Sequence, residues 1–143
     1  MASLGQIRAG IRQVLEGIDG LQVYDTVADV VQVPAVVVAP IQADFEVAMG
    51  RGTDRWILRL FVLVGRGDQR LAQQALDEYV TGAGPRSIRQ RIYERDDLGL
   101  GDGTTAFVTG MPRDIPYGGA FEGAQVPHIG ACLLLEVHTP GTA

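Results

Sequence analysis

A chain of 143 residues has room for one domain whose core buries about two-thirds of the unfolded surface. Its hydrophobic content of 46% and charged content of 20% are those of a folded protein. No apolar run approaches the roughly 20 residues of a membrane helix, and Met1 to Gln6 lacks a basic segment followed by a greasy one, so a soluble, unexported protein is expected. The net charge of −5, from twelve Arg and no Lys against seventeen acids, disfavours general binding to a phosphate backbone. Cys132 is the single cysteine, which excludes an intrachain disulfide and a thiolate metal cluster.

Along the chain, Ser3 is a suitable N-cap, and Leu4, Ile7, Ile11, Val14, Leu15 and Ile18 recur at the spacing of an amphipathic helix with one buried stripe. Leu21 to Tyr24 reads as a short strand. Val33 to Pro40 reads as a second, with a proline at each end where a missing donor is tolerated. Between Pro40 and Arg55, the alternation Phe45, Val47, Met49 fits a hairpin arm standing off the body, or equally a flexible loop with chance apolar residues.

Arg55 to Val64 is the stretch around which the rest is arranged. Trp56, Leu58, Leu60, Val62 and Val64 make one apolar face of a strand roughly 33 Å long, while Arg55, Ile57, Arg59, Phe61 and Leu63 make a face that begins charged and turns apolar. The far end therefore needs cover on both sides, from the chain's own helices or from another subunit. Asp68 then caps a helix with Leu71, Ala72, Ala75, Leu76, Tyr79 and Val80 inward. Ser87 caps a shorter one with Ile88 and Ile92 inward. Thr104 to Met111 and Val126 to His138 are the last strands, separated by a Gly-rich and aromatic loop over 112–125, and residues 139–143 form a loose tail. The expected architecture is a single α+β domain, order α-β-β-β-α-α-β-β, with a mostly antiparallel sheet of about five strands and helices packed on one side.

Chemistry is sparse. His128 and Cys132 share a strand face but lie ~13 Å apart, and His138 lies ~33 Å from His128, too far for joint ligation. No metal or cofactor site is expected. Gly99 to Gly103 precedes a strand instead of linking a strand to a helix, so no helix N-terminus faces a phosphate there. Arg66-Gly67-Asp68 spells an adhesion tripeptide, but Gly67 and Asp68 suit a turn and a cap. Asp96 and Asp97 could form an acidic site of a small enzyme or ligand-binding domain; a solvated pair at a helix exit is the plainer reading. Arg86, Arg89, Arg91 and Arg95 form the main charge cluster, read as the wet side of a short helix or as a contact for an acidic protein surface.

Taken in order, Ile18 to Tyr24, Val33 to Val37, Arg51-Gly52, Phe61 to Arg66, Ala72 to Tyr79, Gly84 to Ile88, Ile129 to Ala131 and Leu135 to Val137 resemble the tail terminator (head-tail joining) proteins of long-tailed bacteriophages. The resemblance spans most of the chain and contains no catalytic signature. It implies a non-enzymatic structural protein of the virion, assembled in the host cytoplasm as a homohexameric ring on the head-proximal end of the tail tube. Its partners would be copies of itself, the major tail tube protein and a head-completion (stopper) protein, with DNA sliding through an acidic lumen without specific binding. A neck, head-completion or minor capsid protein is the neighbouring alternative. The expected interface residues are Phe45, Glu46, Met49, Arg51, Arg55 and Arg59, Arg86, Arg89, Arg91 and Arg95, and Tyr117 and Phe121.

Overall fold

The computed structural model describes residues 4–18, 21–24, 34–44, 53–65, 69–100, 103–112, 119–121 and 128–140. The elements in chain order are α1 (Leu4–Leu15), β1 (Gln22–Tyr24), β2 (Ala35–Asp44), β3 (Thr53–Gly65), α2 (Gln69–Val80), α3 (Ile88–Glu94), β4 (Thr105–Gly110), β5 (Gly119–Phe121) and β6 (His128–Pro140). The sheet runs β1-β2-β3-β6-β4, and β5 also pairs with β6. The expected order is reproduced with the three-residue β5 added. The sheet is mixed: β1 runs parallel to β2, whereas the other pairings are antiparallel.

β3 lies at the centre because its long uninterrupted apolar face can pair with a strand on either side and still be covered by the helices. It is paired with β6 from Thr53 opposite Pro140 to Gly65 opposite His128, and with β2 on its other side. Leu58, Leu60, Val62 and Val64 enter one core with Ala131, Leu133, Leu135 and Val137 of β6, Val36 and Val38 of β2 and Ala106 of β4. Ile7, Ile11, Val14, Leu15 and Ile18 close over this face from the α1 side, Ala72, Leu76 and Tyr79 from α2, and Ile88 and Ile92 from α3. The expected stripe of α1 is therefore buried, with Leu4 partly so.

Leu71 departs from expectation: it is 62% exposed. The buried stripe of α2 is Ala72, Leu76 and Tyr79, spaced four and three residues apart, and Leu71 sits about 100° around the axis from Ala72. β2 also outruns its expected end. Pro40 does not stop it; the register slips between Pro40 and Gln42, so a bulge absorbs the missing donor and the strand continues to Asp44. β6 likewise continues through Thr139, which is buried, and Pro140, two residues past the expected end. The proposed caps Ser3 and Asp68 lie outside the described residues.

Two local devices lock α3 and the turn after it. Ser87, itself buried, accepts from the Gln90 N–H at 3.1 Å and donates to the Thr81 carbonyl, so one hydroxyl caps α3 and ties it to the end of α2. Leu98 adopts φ +53°, the left-handed region that disfavours a side chain, and yet is buried against α1. It fits because residue 10 is glycine: a Cβ there would stand 2.7 Å from the Leu98 carbonyl oxygen and 2.9 Å from its Cβ. No described helix is long and apolar enough to cross a membrane.

Gly10→Ala is expected to lower stability by about 1–3 kcal/mol, because the obstructing atoms are backbone and cannot swing aside. Ser87→Ala is expected to cost about 1–2 kcal/mol. Urea unfolding midpoints at fixed pH measure both; a Gly10→Ala midpoint equal to wild type would show that α1 and the 95–100 turn are not in close contact.

Candidate functional site

Helices cover one face of the sheet, and the second face carries the features that set this chain apart. Residues opposed in register share a face, so the rows across β2, β3 and β6 can be read directly. Ala35, Leu63 and Gly130 form one row; Val37, Phe61 and Cys132 the next; then Ala39, Arg59 and Leu134. Ile57, Glu136 and Phe107 follow, and Arg55, His138 and Thr105 form the last. The gradient from charged to apolar read in β3 thus extends across the sheet.

Burial follows the same gradient. Ala35, Leu63 and Cys132 are at most 8% exposed, so the apolar end of this face is buried within the subunit itself. Val37, Ala39, Ile57, Arg59, Phe61 and Leu134 are half-buried, and Phe107 on β4 is exposed. At the polar end, Glu136 is shared: Arg55 Nε lies 3.6 Å and His138 Nε2 3.7 Å from the same carboxylate oxygen. The His138 ring stacks on Phe107 with centroids 5.6 Å apart. These pairs remain partly solvated, which limits each to about 1 kcal/mol or less.

β2 and β3 pair out to Asp44 opposite Arg55, so their connection, with Phe45, Glu46, Met49 and Arg51, leaves from the polar end of the sheet. The connection from β5 to β6 leaves from the other end, beside His128 and Gly65. The thirteen residues of β3 between these ends span about 40 Å. Phe45, Glu46, Met49, Arg51 and Tyr117 lie outside the described residues. Phe121 is the last residue of β5, opposite His128.

The arginine cluster is divided among three neighbours. Arg86 is exposed and pairs with Glu78 of α2 at 3.3 Å. Arg89 lines a 270 Å³ cavity with Val80, Val108, Gly110, Met111 and Leu133. Arg91 is turned inward: its Nε donates to the Val14 carbonyl at 3.4 Å, and its guanidinium lies over Gly17. It therefore serves the C-terminal end of α1, where positive charge is favoured, and is only half-buried. Arg95 is exposed at the end of α3.

Tyr93, absent from the expected interface, stands 78% exposed on α3 between Arg89 and Arg95. Its signal was present: with Ile88 and Ile92 defining the inward stripe, Tyr93 falls off it. Glu136, His138 and Phe107 were also missed, because their association depends on which strands are neighbours. Asp96 and Asp97 are both exposed. An Asp97 oxygen accepts from the Gly99 N–H at 2.9 Å and the Asp96 carbonyl from the Ala106 N–H, so the pair is employed in shaping the turn into β4. Among the described residues no group of three or more His, Cys, Asp or Glu converges as metal ligands.

No protein-family model matches this chain, and no curated protein sequence matches it.

Next to the Arg86–Glu78 pair, burial pushes the Tyr79 hydroxyl above its ordinary 10.0; Arg86 pulls it down and Glu78 adds to the rise. The folded state thus holds this proton more tightly than the unfolded chain does. The corresponding stability is complete below pH 10.0 and is lost as pH climbs through the folded value. Urea midpoints at about pH 8 and about pH 11 should therefore fall further apart in wild type than in Tyr79→Phe.

Proposed function

We propose that this chain is a structural subunit of a phage tail: a tail terminator, six copies of which close into a ring on the head-proximal end of the tail tube. The observation that supports this best is the second face of the sheet, where half-buried Val37, Ile57, Phe61 and Leu134 and exposed Phe107 lie beside the Arg55–Glu136–His138 group. A partly apolar surface rimmed by oriented charge has the composition of a subunit interface. Such a surface suits head-to-tail packing, in which one subunit's face meets a different face of the next and the rotation closes a ring.

The opposite ends of the sheet from which the β2–β3 and β5–β6 connections leave agree with this role. A joining ring must touch the tail tube on one side and the head-completion protein on the other, and segments leaving opposite ends of a sheet about 40 Å long can serve two partners at once. The net charge of −5 suits a bore through which DNA slides, since like charge raises the cost of phosphate contact. In this reading no catalysis, metal or cofactor is required, and the protein belongs to the virion.

The test is polymerisation of the cognate tail-tube subunit with increasing amounts of this protein. Tubes should stop lengthening, each with a ring on one end by electron microscopy. Phe107→Glu, which alters an exposed side chain, should raise the dose needed at least tenfold. Tube lengths indifferent to the wild-type protein at every dose would reject the assignment.

A further inference from the structure

Between α1 and α3 lies a cleft of about 250 Å³, lined among the described residues by Gln13, Val14, Arg91, Arg95, Leu98 and Gly99. Its position follows from packing already described. Gly10 lets the 95–100 turn approach α1 closely, and left-handed Leu98 roots that turn in the core. The cleft is what remains between the turn and the last turn of the helix.

Two arginines line this space. Arg91 is fixed by its Nε bond to the Val14 carbonyl, which uses one of its five N–H donors and leaves the Nη groups to other partners. Gly17 makes room for it: a Cβ at that position would lie 1.7 Å from Arg91 Nη2. Arg95 follows one helical turn later and lines the same cleft. Unlike Arg86, which is paired with Glu78, neither is engaged by a carboxylate within 4 Å among the described residues. Asp97, which could have competed, turns its carboxylate to the Gly99 N–H. Gln13 adds a side-chain amide.

We infer that this cleft binds a small oxyanion of the phosphate class through Arg91 and Arg95, with Gln13 as a neutral donor. Two arginines lining one small cleft suit the tetrahedral oxygens of phosphate, which accept charge-assisted hydrogen bonds from guanidinium groups. A volume just below the usual range of about 300–1,000 Å³ for small-molecule sites limits the ligand to inorganic phosphate or a compact phosphoryl or sulfuryl group. The overall net charge of −5 opposes long polyanions but does not prevent capture of a single anion by a local pair of cations screened over about 10 Å. The inference does not rest on the ring assignment, because the cleft lies between α1 and α3, on the other side of the sheet from the face argued above.

The probe is inorganic phosphate, titrated against chloride at matched ionic strength and followed by calorimetry and by melting temperature. Wild type should show saturable binding and a rise in melting temperature. Arg95→Gln, which alters an exposed side chain, should weaken binding roughly 10- to 100-fold, the loss of charge-assisted hydrogen bonds. Gly17→Ala should weaken it as well by displacing the Arg91 guanidinium, and Arg86→Gln should leave it unchanged. Should Arg91→Gln fail to fold because it also loses the contact with α1, Arg95→Gln and Arg86→Gln decide the matter. Absence of saturable phosphate binding by the wild type, or equal binding by Arg95→Gln, overturns the inference. If Arg95→Gln instead abolishes self-association while phosphate has no effect, the cleft takes a carboxylate of a neighbouring copy, and the free-anion assignment is wrong.

Discussion

The pairing of β3 with β6 along their full length is the constraint on which everything else rests. Both strands place an apolar residue at every second position on the helical side, and registering Leu58 against Leu135 and Leu60 against Leu133 makes one continuous apolar floor. A slip of β3 by one residue would turn Arg55 and Arg59 toward the helices and carry Leu58 and Leu60 to the other face. The cost of burying those charges unpaired would far exceed any gain elsewhere. The helices therefore settle on one side because the register leaves no alternative.

That same register creates the second face. A strand's alternation cannot be changed on one side alone, so the composition of the even positions of β3 fixes the core and that of the odd positions fixes the surface offered to neighbours. Arg55, Ile57, Arg59 and Phe61 are too apolar as a set for an ordinary wet face and too charged for a second core. With Glu136 and His138 arranged around them, they suit recognition of another protein surface, which is where the proposed ring draws its contacts.

What could be read from residues alone was whatever depended on short-range periodicity. The stripe of α1 from Ile7 to Ile18, the two faces of β3 and the Ser87 cap all follow from neighbours a few positions apart, where the physics of a helix turn or a pleat is local. Leu71 was misplaced because an apolar residue just off a stripe looks the same in sequence as one on it. Pro40 reads as the end of a strand because the bulge that accommodates it requires β3 as a partner. Arg91 read as one of four similar cations, and only the approach of α1, permitted by Gly17, distinguishes it. The sharing of Glu136 between Arg55 and His138 joins positions more than eighty residues apart, and no local pattern announces it.

Cys132 deserves a last word as a chemical clock. It is the sole thiol, it sits in the row with Val37 and Phe61 in the middle of the sheet, and it is 1% exposed. A thiol-reactive dye can reach it only when the packing over this face opens, so the rate of labelling reports that opening directly and without an introduced probe. The natural chain thus carries its own single-site gauge of how tightly that face is packed.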